Sequence, residues 1–154
     1  MSTDHDKDWN GFIEGQSTAF EAAVASSLTD ARRFITAAGL ANGAGDRLLI
    51  VVEEIMSNIV GHAAPPPGSA ITWRFAVEEG QVRLRFADAG TYFDPRGTVA
   101  APPDGDTAIT AAATEGAGGL GWRLVLAWCD IAVCEPDNGI NRLELVMRPQ
   151  LNAA

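Results

Sequence analysis

The segment Val51-Val-Glu-Glu-Ile-Met-Ser-Asn-Ile-Val-Gly-His-Ala63 is apolar but interrupted by Glu53, Glu54, Ser57, Asn58 and His62. Its length and its apolar positions at Val51, Ile55 and Ile59 give it the period of a helix. Glu54, Asn58 and His62 recur every four residues, which stacks them in one row, a turn apart, beside the apolar row. A solvated face would explain such a row. So would a site, because a carboxylate on a rigid element can act as a general base. A neutral amide oxygen one turn away suits Mg²⁺, which keeps several waters and takes its other ligands from phosphate.

Around this helix the sequence reads as one domain, residues 17–150, behind an N-terminal tail over 1–16. Within that tail only Trp9, Phe12 and Ile13 offer apolar anchors. "TAFEAAV" (18–24) alternates as a first strand would. Ser27 and Asp30 have the spacing of a capping box ahead of a helix that stops at Gly39. "ANGAGD" reads as a turn, and the long helix runs from about Asp46 to Ala63, ended by "APPPG". "AITWRFAVEE" and "QVRLRFAD" alternate as a hairpin turning at Glu79-Gly80, and "IAVCEP" and "INRLELVMR" as another turning at "DNG". Residues 97–117 are rich in Gly, Pro, Ala and Thr with few apolar anchors, the composition of a lid. "GLGWRLVLAWCD" opens a helix from a glycine-rich turn. This order predicts an α+β fold: a two-layer sandwich of helices on a mixed, largely antiparallel sheet.

The 154 residues carry a net charge of −9, with 47% hydrophobic and 20% charged content. That is globular, and it lacks the basic footprint of a nucleic-acid binder. No apolar run reaches the roughly 18 residues of a membrane span, and the acidic, polar start is not a signal sequence, so a cytoplasmic location is expected. Cys129 and Cys134 have no neighbours to complete a zinc site and read as reduced thiols.

Two further clusters carry chemistry. In "FADAGTYFDP" (86–95) a strand ends at Asp88, whose carboxylate can accept a hydrogen bond from an exocyclic amine such as that of adenine. Gly90 follows in a tight turn. In "GAGGLGW" (116–122) glycines ahead of a helix let backbone N–H groups converge on phosphate, with the helix dipole in support.

In their order, "EEIMSNIVGHA", "DAGTYFDP" and "GAGGLGWRLV" resemble the N box and the two glycine boxes of the GHKL (Bergerat) ATP-binding fold, over residues 18 to 148. Within it the chain looks most like the serine-protein kinase anti-sigma factors. The resemblance implies ATP and Mg²⁺ as cofactors, Glu54 as catalytic base and Asn58 as the metal ligand. It implies that Asp88 holds the adenine amine and that Gly90 leaves room for the ring. Gly116, Gly118, Gly119, Leu120 and Gly121 would wrap the phosphates. Implied partners are a small anti-anti-sigma (STAS-type) protein and a sigma factor, and dimerisation is common in that family. Two alternatives stand beside the kinase: a nucleotide-binding partner-switch module without phosphotransfer, and a histidine-kinase-like catalytic domain. Three features depart from the pattern. Tyr92 stands at the position of a second glycine, Glu144 where a threonine often supports the adenine contact, and no Lys or Arg lies between Arg96 and Arg123.

Overall fold

The computed structural model describes residues 9–94 and 118–148, the side chains of 118–120 excepted. In chain order it has β1 (Phe12–Ser17), α1 (Phe20–Ala38), α2 (Asn42–Asn58), a π-helical turn (Ile59–Ala63), β2 (Ile71–Glu78) and β3 (Gln81–Asp88). After residues 95–117 come α3 (Gly118–Trp128), β4 (Cys129–Asp137) and β5 (Ile140–Met147). The strands form one sheet in the order β1-β2-β3-β5-β4, and all four pairings are antiparallel. The helices cover one face, which gives the expected two-layer α+β sandwich, with the described strands wholly antiparallel rather than mixed.

The first strand is not where its alternation placed it. Residues 20–24 begin α1, and the edge strand is formed by Phe12–Ser17, most of which was expected to be a loose tail. A short Ala-rich run fits either period. What decides is the continuation: Ala23, Ser27, Ala31 and Phe34 fall on one helical face and are buried. Ser27 is therefore no cap; its hydroxyl donates to the Val24 carbonyl at 2.8 Å inside the helix. Asp30 instead accepts the Trp73 indole N–H at 2.9 Å, tying α1 to β2. The expected stop at Gly39 holds. Gly39 has φ +66°, and the N–H groups of Gly39 and Leu40 close the helix on the Thr36 and Ile35 carbonyls.

Helix α2 starts at Asn42, so "ANGAGD" is largely its first turn rather than a preceding loop. Both hairpins turn where the sequence indicated, with positive φ at Glu79 and Gly80 and at Asn138 and Gly139, as a two-residue type I′ turn requires. Those turns fix the strand faces. Trp73, Phe75, Leu84, Phe86 and Leu145 point inward against Phe34, Leu48, Val52, Ile55 and Val125. The opposite face carries Arg83, Arg85 and Glu144. Phe34 of α1, Phe75 of β2 and Phe86 of β3 form an aromatic row with centroids 6.2 and 6.1 Å apart, which joins α1 to the sheet.

Candidate functional site

Val51, Val52, Ile55, Met56 and Ile59 sink into the core, while Glu53 and Ser57 are exposed. Glu54 and Asn58 sit at the border of the two faces, half-buried. The Asn58 Nδ2 donates to the Glu54 carbonyl at 2.7 Å and to the Glu54 carboxylate Oε1 at 2.9 Å. A carboxylate only accepts, so the amide must turn its NH₂ toward Glu54 and its Oδ1 away. That outward oxygen is the atom a cation would use. The row does not extend to His62. Winding changes at Ile59, and His62 lies exposed on the π turn.

Glu54 also touches α3. A Cβ built on Gly121 would land on the Glu54 carboxylate, so only glycine lets this turn of the helix lie against it. The carboxylate is thus held between the Asn58 amide and the opening turns of α3, whose first residues are Gly118, Gly119 and Leu120. Gly116 and the expected lid over 97–117 lie outside the described residues.

Asp88 ends β3 with only 6% of its surface exposed. Its Oδ1 accepts the Gly90 N–H at 2.8 Å and the Asn141 Nδ2 at 3.2 Å, and Asn141 also donates to the Gly90 carbonyl at 2.7 Å. Its Oδ2 has no hydrogen-bond partner among the described residues. Although Asp88 as a residue is largely buried, Oδ2 is not among the buried side-chain atoms that lack a partner, so it is the oxygen open to solvent and to a donor such as an exocyclic amine. Asn141 was missed in the sequence. It lies opposite Asp88 only because β5 pairs with β3, a long-range neighbour relation that the "DNG" turn does not reveal.

Gly90 also answers to a demand of the fold: a Cβ there would strike the carbonyl of Ala63. The adjacent Thr91 N–H donates to that same carbonyl at 2.8 Å. Contacts thus run from Gly121 through Glu54 and Asn58, along the π turn to Ala63, and on to Gly90, Asp88 and Asn141. The motifs meet around the C-terminal end of α2.

Two departures prove to lie elsewhere. Glu144 is on the outer face of the sheet, where its carboxylate meets Arg83 Nη1 at 2.8 Å and Arg85 Nε at 3.3 Å. The Tyr92 hydroxyl reaches β4 and donates to the Cys134 carbonyl at 3.1 Å, and the next ring, Phe93, packs on Trp122 at 6.1 Å. A groove of about 760 Å³ on the outer face, lined by Glu14, Arg74, Arg85, Arg142 and Glu144 among others, shares no residue with the site. Its arginines are all ion-paired to Glu14, Glu78, Glu144 or Asp137, so it presents no unpaired cation to a ligand.

Among the described residues no helix is long and apolar enough to cross a membrane. No curated protein matches the chain. Residues 18–147 match the model of the histidine kinase-like ATPase domain, a span that takes in α1 through β5. With most of its length matched and the helices layered on an antiparallel sheet as that fold requires, the chain belongs to the histidine kinase-like ATPase domain family, a nucleotide-binding fold that uses ATP.

Proposed function

We propose that the protein is an ATP-dependent serine/threonine-protein kinase of the anti-sigma factor type. It would phosphorylate a small STAS-type anti-anti-sigma partner and sequester a sigma factor. The observation that carries this reading is the placement of Glu54. Its carboxylate is fixed by Asn58 and lodged against Gly121 in the opening turn of α3. A base beside a phosphate-binding helix terminus is what transfer to a hydroxyl needs.

The roles follow from the atoms. Asp88 Oδ2 accepts the adenine amine and orients the purine. The N–H groups at the start of α3 receive phosphate oxygens. Asn58 Oδ1 faces outward, so it fits the single protein ligand that Mg²⁺ takes when phosphates and waters complete its shell. Bound with ATP, Mg²⁺ would spread the charge of the transferring phosphoryl group. Glu54 takes the proton of the partner's hydroxyl as the oxygen–phosphorus bond forms and the β–γ bridge breaks, leaving ADP. Because the transition state is loose, most of the acceleration comes from positioning, to which the base adds on the order of 10²- to 10⁴-fold.

A second reading, a switch that binds nucleotide and partner without transfer, is favoured by one observation. Between Arg96 and Arg123 there is no cation, while Asp104, Asp106 and Glu115 are acidic. Incubation with Mg·[γ-³²P]ATP and candidate STAS-type proteins separates the two. Label should appear on a partner serine or threonine, and Glu54→Gln should bind ATP normally while transferring on the order of 10²- to 10⁴-fold more slowly. Binding of ATP and partner without label would establish the passive switch.

A further inference from the structure

We infer that Asn141 is a positioning residue that aims Asp88 at the exocyclic amine of the purine and so sets the preference for a 6-amino base. The inference rests on the reading above, in which Asp88 receives that amine.

The argument is a count of lone pairs and hydrogens. Each carboxylate oxygen offers two lone pairs in its plane. On Asp88 Oδ1 both are taken, by the Gly90 N–H at 2.8 Å and the Asn141 Nδ2 at 3.2 Å. Oδ2 is therefore the oxygen left to accept, and the carboxylate cannot rotate without losing two bonds. Asn141 in turn spends both amide hydrogens, one on Asp88 Oδ1 and one on the Gly90 carbonyl at 2.7 Å. The same amide thus holds the carboxylate and the far end of the Asp88–Gly90 turn. A hydroxyl side chain carries a single hydrogen and could hold only one of the two. An aspartate would offer acceptors alone and repel Asp88. Asn is the residue of this size whose donors match both acceptors, and cross-strand pairing of Asp88 with Asn141 puts it in place.

A merely structural clamp would affect every nucleotide alike, whereas a clamp acting through the Asp88–amine bond matters only when the amine is present. The test is therefore titration of the full chain, with Mg²⁺, against ATP and against purine riboside 5′-triphosphate, which lacks the 6-amine. The parent should prefer ATP by roughly ten- to a hundredfold. Asn141→Ala should lose most of that ratio through weaker ATP binding, with affinity for the amine-free nucleotide kept within about twofold. Asn141→Ser, with one hydrogen, should fall between, and serves if the alanine variant does not fold. Asn141→Asp, which offers acceptors alone beside Asp88, should bind ATP poorly. Equal loss for both nucleotides in Asn141→Ala and Asn141→Ser would overturn the inference and leave a structural role. A parent that does not distinguish the two nucleotides would instead overturn the reading of Asp88 itself.

Discussion

Replacing Gly121 with alanine puts the placement of Glu54 to a direct test. The added Cβ falls on the Glu54 carboxylate, and the three nearest atoms are all at the far end of that one flexible side chain. None of the three is a backbone atom, and Glu54 is half-exposed, so the carboxylate can swing toward solvent. The cost is its hydrogen bond from Asn58 at 2.9 Å. At a partly solvated position that bond is worth about 1 kcal/mol. Alanine returns up to about 1 kcal/mol through helix propensity. Stability should therefore change by less than about 1 kcal/mol in either direction.

Activity should not be spared. A base displaced by 1 Å or more from its working position costs on the order of 10²-fold. Urea unfolding, ATP titration and the rate of ATP consumption with a phosphorylatable partner, on the same preparations, read the three quantities apart. The expected result is near-parental stability with turnover reduced about a hundredfold. Parental turnover would refute the reasoning, because the carboxylate would then not be working from its place against α3. A loss above about 3 kcal/mol would refute it in another way, by showing that Glu54 cannot move aside.

Gly90→Ala should behave differently, because its Cβ meets the Ala63 backbone rather than a side-chain tip; a loss of about 1–3 kcal/mol by urea unfolding is expected. Glu144→Gln should leave ATP affinity within about twofold, since the carboxylate serves Arg83 and Arg85 on the outer face, and a tenfold loss would return it to the site. Acid should loosen that outer network. Arg85 holds the Glu78 carboxyl below its ordinary 4.5, so its stabilising effect is complete above that pH and fades as pH falls through the lowered value; unfolding curves between pH 6 and about 3 should show it, and Glu78→Gln should flatten the trend. Burial pushes the Cys129 thiol up to about 12, so iodoacetamide at about pH 8 should label Cys134 in the native protein and both cysteines only in denaturant.

What the sequence revealed and what it hid divide along one physical line. Features set by neighbours in the chain were legible: the two type I′ turns, the stop at Gly39, the polar pair Glu54 and Asn58 four residues apart. Features set by distant contacts were not. "TAFEAAV" fits two periods over seven residues, and only burial of Ser27, Ala31 and Phe34 farther on settles it as helix. Asn141 carries no local signal, because its meaning comes from the strand beside it. Glu144 was read at a position where a threonine often supports the adenine contact, yet it is three positions from Asn141, an odd number, and an odd step along a strand turns a side chain to the opposite face. Gly90 was read as leaving room for the ring and Gly121 as helping to wrap the phosphates. The described contacts show each making room for another part of the chain.

That last point bears on how the site is assembled. Helix α2 does not simply end after Asn58; it widens into a π turn, and the Ala64 N–H closes it by reaching back five residues to the Ile59 carbonyl at 3.2 Å. The wider winding delivers the Ala63 carbonyl to Gly90 and Thr91, and through them fixes the turn that orients Asp88. In regular α-helical winding each residue advances by about 100° and 1.5 Å, so a one-residue change in this turn would carry Ala63 away from Gly90 while leaving Glu54 and Asn58 in place. The proposed phosphate and purine ends of the site are therefore held in register by five residues, Ile59–Ala63, of which Gly61 and His62 are exposed and only Ile59 is buried. π turns recur at functional positions because they adjust the spacing of side chains that a regular helix would hold at fixed intervals. Here the adjustment joins Glu54 and Asn58 to Asp88, and it gives the exposed end of α2 a role that its weak packing into the core would not.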